Sequence, residues 1–104
     1  MRNKIKKIIK EVLKEFRVNL KALILFGSRA KGNENKYSDW DFLIIVKEDL
    51  SFPKKRKIAK EIRVRLAELF IPCDIIIKSE SEIEYYKNFI GSITRQALKE
   101  GIKI

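Results

Sequence analysis

Leu23-Ile24-Leu25-Phe26-Gly27-Ser28-Arg29-Ala30-Lys31-Gly32 and, after five further residues, Ser38-Asp39-Trp40-Asp41-Phe42-Leu43-Ile44-Ile45-Val46 form the passage whose reading decides the fold. An apolar run of strand length ends at a Gly-Ser corner. A short basic turn follows, and a second apolar run opens on two acids one residue apart. Side chains alternate along a strand, so Asp39 and Asp41 share one face while Trp40 and Phe42 point to the back. Gly27 stands where the chain turns sharply and where a ligand could approach the backbone, with no Cβ to obstruct either. Ser28 and the amides after it open a short helix whose first N–H groups lack partners, which suits an anion. Arg29 and Lys31 add positive charge there.

Two carboxylates about 4 Å apart repel by roughly 4 kcal/mol at an effective dielectric near 20. A divalent cation removes that cost, and hard oxygen ligands suit magnesium. An anion cradle opposite a paired-carboxylate metal site suits phosphoryl or nucleotidyl chemistry.

Gly27-Ser28-Arg29-Ala30-Lys31-Gly32 followed by Ser38-Asp39-Trp40-Asp41-Phe42 resembles the signature of the minimal nucleotidyltransferases of the DNA polymerase beta superfamily. The resemblance extends over nearly the whole chain in the order and length of its segments. In that family a third catalytic carboxylate lies on a later strand. The matching segment is Pro72-Cys73-Asp74-Ile75-Ile76-Ile77, which gives Asp74 that role.

The chain has 104 residues, a length that predicts one domain over 1–104. Its 24 basic against 14 acidic side chains leave a net charge of +10, which favours an anionic partner without choosing among nucleotide, nucleic acid and acidic protein. The absence of His excludes Ser-His and Cys-His catalysis and any His-ligated metal. A single Cys excludes an internal disulfide and a Cys-based zinc site. No apolar run approaches the roughly 20 residues of a membrane span, and no signal peptide opens the chain, so a cytoplasmic protein without membrane contact is expected. The Lys-, Glu-, Arg- and Ile-rich composition resembles that of thermophile proteins.

Outside the central passage, Ile5, Ile8, Ile9, Val12, Leu13 and Phe16 recur at helical spacing and predict an amphipathic helix over Asn3–Arg17, packed on the core rather than lying on a membrane. Asn19 marks the turn into a strand over Leu20–Phe26, too continuously apolar for a sheet with one wet face. A polar loop is expected over 33–36, and Tyr37 reads as a packing residue. The second strand is expected over Asp39–Lys47. Ser51 and Pro53 start a helix reaching about Phe70, with Ile58, Ala59, Ile62, Leu66, Leu69 and Phe70 inward. Lys54, Lys55, Arg56 and Lys57 at its start read as a solvated cluster that could also contact an anion. Pro72–Lys78 is a third strand. A charge at Asp74 among isoleucines requires a partner, either the shared metal or a lysine. Cys73 reads as a buried small apolar residue. Ser81-Glu82-Ile83-Glu84 reads as a capping box, Gly91 and Ser92 as a break, Gly101 as a helix stop and 102–104 as a short edge strand. The expected fold is α/β (α+β): a small mixed sheet of three to four strands with helices packed on it, the palm-like nucleotidyltransferase fold.

The resemblance implies transfer of AMP from ATP to an acceptor hydroxyl. In it Gly27, Ser28, Arg29 and Lys31 hold the nucleotide, and Asp39, Asp41 and Asp74 act as catalytic residues and as ligands of two magnesium ions. Larger relatives carry a second domain for the acceptor. Here another chain is expected to supply it, as homo- or hetero-oligomer. In the resembled family that chain is often a HEPN-domain ribonuclease toxin, and the nucleotidyltransferase is its antitoxin. The alternatives are a small-molecule acceptor such as an aminoglycoside, or a non-catalytic basic module that binds a partner protein or, less favoured, nucleic acid.

Overall fold

The first helix, α1 (Arg2–Glu15), buries Ile5, Ile9, Val12 and Leu13, while Ile8 and Phe16 pack at the margin of the same core. It ends in a Schellman turn: the Val18 amide donates to Leu13 O and the Arg17 amide to Lys14 O, with Arg17 left-handed at φ 59°. The chain then enters β1 (Leu20–Phe26), turns at Gly27 into the single-turn α2 (Ser28–Lys31), and returns as β2 (Trp40–Val46). The computed structural model describes the whole chain except Asn33, Glu34, Lys36, Tyr37 and Ile90. The loop expected over 33–36 therefore lies, Asn35 aside, outside the described residues, and so does the packing expected of Tyr37.

Strand β2 pairs antiparallel with β1 and hands over to α3 (Phe52–Ala67), whose Ser51 cap accepts from the Lys54 amide with Pro53 in the first turn. This helix carries the chain across to β3 (Cys73–Ser79), which pairs parallel with β2. The expected inward stripe holds only in part. Ile58, Ala59, Ile62 and Leu66 are buried, but Leu69 is exposed and Phe70 is 93% exposed. The helix closes early in a second Schellman turn, Ile71 N to Leu66 O and Phe70 N to Ala67 O, which swings Phe70 outward at φ 59°.

Strand β3 runs directly into α4 (Glu80–Tyr86). The capping box forms on Ser79 and Glu82, two residues before the expected Ser81, because the last strand residue itself serves as cap. Ser92 caps α5 (Ile93–Glu100), and β4 (Ile102–Lys103) adds to β1. Gly101 does end α5, though in an extended conformation; a Cβ there would overlap Ala97 O and Ile24 Cγ2, so close approach is what requires glycine. The sheet order is β3-β2-β1-β4. One face packs Leu23, Leu25, Phe42, Ile44 and Ile77 against α1 and α3; the other packs Ile24, Leu43 and Ile45 beneath α4 and α5, with Ala97 of α5 buried against them. Covered on both sides, β1 and β2 need the continuous apolar runs that they have.

Candidate active site

Parallel pairing begins where the Trp40 amide donates to Pro72 O at 2.9 Å. Two consequences follow from that register. Asp41 lies opposite Asp74 on one side, and opposite Phe26, the residue before Gly27, on the other. By strand alternation Asp39, Asp41 and Asp74 project to the α4–α5 face, while Trp40 and Cys73 turn to the α1–α3 core.

Gly27 is required twice over. Its φ of 74° is left-handed, and a Cβ on it would overlap Asp41 Oδ2, with Asp41 Cγ 3.1 Å away. The Gly-Ser corner and the acidic strand are thus in direct contact. Ser28, half-buried, opens α2, and the Ala30 and Lys31 amides turn back to Gly27 O.

Burial pushes the Asp41 carboxyl above its ordinary value. The charge of Asp74, then that of Asp39, and a hydrogen bond with Asp74 push it further in the same direction. Asp39 and Asp74 are exposed. The expectation that Asp74 would be enclosed among isoleucines is corrected: it stands near the open start of the edge strand, where water reaches it. Asp41 and Asp74 come within hydrogen-bonding reach, and Asp39 is felt through its charge. Among the described residues no group of three or more acidic, Cys or His side chains converges tightly enough to form a ready-made ion cage. The donor set nevertheless fits a hard divalent cation: carboxylate oxygens only, mutually repelling, above a glycine that leaves them room. Cys73 offers no competing ligand. Burial pushes its thiol up to about 11; Arg63 opposes this, while Asp74, Asp39 and Asp41 add to it.

The two basic residues of α2 each make a contact within the chain. Arg29 Nε donates to Ser38 O at 3.0 Å, and its guanidinium lies 4.4 Å from the centre of the Trp40 ring. Arg29 therefore braces the backbone that delivers Asp39, a positioning role that the sequence signals only through a tryptophan set between two acids. Lys31 Nζ pairs with Glu100 at 3.1 Å, linking α2 to α5.

The family model of the nucleotidyltransferase domain matches residues 5–104. The chain belongs to the nucleotidyltransferase family. Among relatives of this nucleotidyltransferase, the putative protein adenylyltransferase MJ0141 of Methanocaldococcus jannaschii is 36% identical over 102 residues, covering 90% of this chain and 96% of that protein. The protein adenylyltransferase MntA of Aphanizomenon flos-aquae is 60% identical over 30 residues, 29% of this chain and only 20% of that protein. Several solved structures share the fold. A toxin–antitoxin crystal structure with AMP-PNP superposes with a TM-score of 0.60 at 18% identity, covering 93% of this chain and 69% of that one. A chain of the structure of the tri-AMPylated Shewanella oneidensis HEPN toxin in complex with MNT antitoxin gives 0.56 at 18%, covering 99% of this chain and 71% of that one.

Proposed function

We propose that this nucleotidyltransferase moves AMP from ATP to a hydroxyl of a partner protein, and that the partner is a HEPN-domain toxin which it neutralises. The observation that carries the reading is the in-register apposition of Asp41 and Asp74 over Gly27. The adenylyltransferase names of the relatives and the HEPN complex of a structural neighbour support the choice of nucleotide and acceptor.

Asp39, Asp41 and Asp74 would hold two magnesium ions. Such ions, when bound, neutralise the triphosphate and lower the pKa of an attacking hydroxyl. Gly27 leaves open space for the phosphate chain, and Ser28 with the first amides of α2 offers donors to its oxygens. Arg29 fixes the Ser38 carbonyl and with it the position of Asp39. The acceptor oxygen bonds to the α-phosphorus, the bond from that phosphorus to the bridging oxygen breaks, and pyrophosphate leaves. The hydroxyl proton passes to Asp74, the exposed carboxylate. No His is needed for this proton transfer.

The test is incubation with magnesium-ATP and a HEPN-domain toxin, beginning with the product of the adjacent gene. An AMP adduct by mass is expected, and none from an Asp39→Ala/Asp41→Ala double variant. Absence of adduct from the unaltered protein under every metal condition rejects transfer. Neutralisation that survives in the double variant shows that contact alone suffices.

A further inference from the structure

Strand β3 ends the sheet, and among the described residues its outer edge pairs with no strand. Along that edge a groove of about 590 Å³ runs between α3 and Ile75-Ile76-Ile77. Natural sheets seldom leave a seven-residue edge strand unpaired, because its free N–H and C=O groups template another strand; in β3 the middle of that edge is Ile75-Ile76-Ile77. Asp74 stands at the start of the strand, but the charged side chains that line the groove beyond it are all basic. Arg56, Lys60 and Arg63 recur at i, i+4 and i+7 and form one stripe of α3, with Lys57 beside them and Lys78 on the strand. Lys55, in the same stretch, is committed to Glu82.

We infer that this groove takes an extended acidic segment of another protein, added as a further strand on β3 with its carboxylates toward α3. Main-chain pairing supplies the affinity, and the basic stripe selects the charge. A second copy of the chain is disfavoured, since two edges with the same positive frame would meet within a protein of net charge +10. A nucleic-acid strand is disfavoured because the floor is isoleucine, with Phe52 at one end as the aromatic among the lining residues. The basic cluster at the start of α3 thereby gains a partner. The inference does not depend on the transfer reaction.

The test uses the full chain, isotope-labelled, and a short fluorescent peptide alternating glutamate and valine. Saturable binding that weakens with salt is expected, with amide shifts centred on Ile75 to Lys78. Arg56→Glu with Lys60→Glu should lower the affinity about tenfold or more. Lys7→Glu with Lys10→Glu, exposed on α1 and changing net charge equally, should leave it within about twofold. Equal losses in both pairs would overturn the inference, and so would shifts confined to other elements. It would also fail if oligouridine binds in the groove where the peptide does not, or if β3 pairs between copies as concentration rises.

Discussion

Lys55 Nζ lies 2.6 Å from both carboxylate oxygens of Glu82, tying the first turn of α3 to the first turn of α4. Glu82 also accepts from the Ser79 amide at 2.9 Å. Burial works to raise its carboxyl, but the hydrogen bonds from Lys55 and Ser79, with the charges of Lys55 and Lys78, outweigh that and hold it below the ordinary value. A depressed acid stabilises the fold fully above its unfolded value, about 4.5, and the contribution is lost as pH falls through the folded one. Glu82→Gln should cost about 1–2 kcal/mol at pH 7, with the deficit vanishing in acid. Urea melts of both proteins from pH 7 to pH 3 would show it.

Gly27→Ala should damage structure and chemistry together. The left-handed backbone alone costs about 1–2 kcal/mol, and the new methyl must displace the Asp41 carboxylate. Thermal melts should fall by several degrees and titration with a non-hydrolysable ATP analogue should lose its signal; an alanine variant that binds normally would place the nucleotide elsewhere.

Asp41→Asn and Asp74→Asn should separate stability from activity. Asp41→Asn removes the carboxylate that burial and its neighbours disfavour, and Asp74→Asn removes the larger of the two charges that raise Asp41. The magnesium-free protein should therefore gain stability, by less than about 1 kcal/mol because Asp41 is only partly buried and solvent screens it. AMP transfer should fall to background. Melts in EDTA set beside a transfer assay give both readouts.

Arg17 and Phe70 occupy left-handed positions that helix ends usually give to glycine. Arg17→Gly should raise stability by about 0.5–1 kcal/mol, and Phe70→Gly by a similar amount, since the phenyl ring is 93% exposed and leaves no cavity. Chemical denaturation would register the change as a higher midpoint with an unaltered slope.

Arg29→Ala should loosen the approach to Asp39 by about 1–3 kcal/mol, the combined worth of a charged hydrogen bond and a cation–π contact. Arg29→Lys should not restore it, because an ammonium cannot reach the carbonyl and lie flat on Trp40 at once. If lysine rescues activity fully, charge beside the nucleotide is what matters rather than position.

The strands were legible because their apolar runs are uninterrupted and their ends carry Gly, Asn or Pro. The shared side of Asp41 on β2 and Asp39 just before it followed from alternation, and Asp74 from the resemblance. Its exposure was not legible, since a run of isoleucines does not tell whether a strand lies at the centre or at the edge of its sheet. The end of α3 was misjudged for a related reason: Leu69 and Phe70 continue the helical period, and only the chain reversal after Ala67 turns them to water. The assignment of Arg29 and Lys31 to the nucleotide rested on their charge. In the structure Arg29 also holds a carbonyl across the loop and Lys31 a glutamate 69 residues away, contacts that composition cannot disclose.

Asp41 and Asp74 are neighbours only because the chain crosses over through α3 between them. A growing polypeptide can close the β1–β2 hairpin early, from contacts local in sequence, but it holds no second acid beside Asp41 until the crossover has docked. The pairing of the two acids therefore arrives late in synthesis, and a product cut short within α3 would display the Gly27 corner and Asp41 without Asp74 beside them.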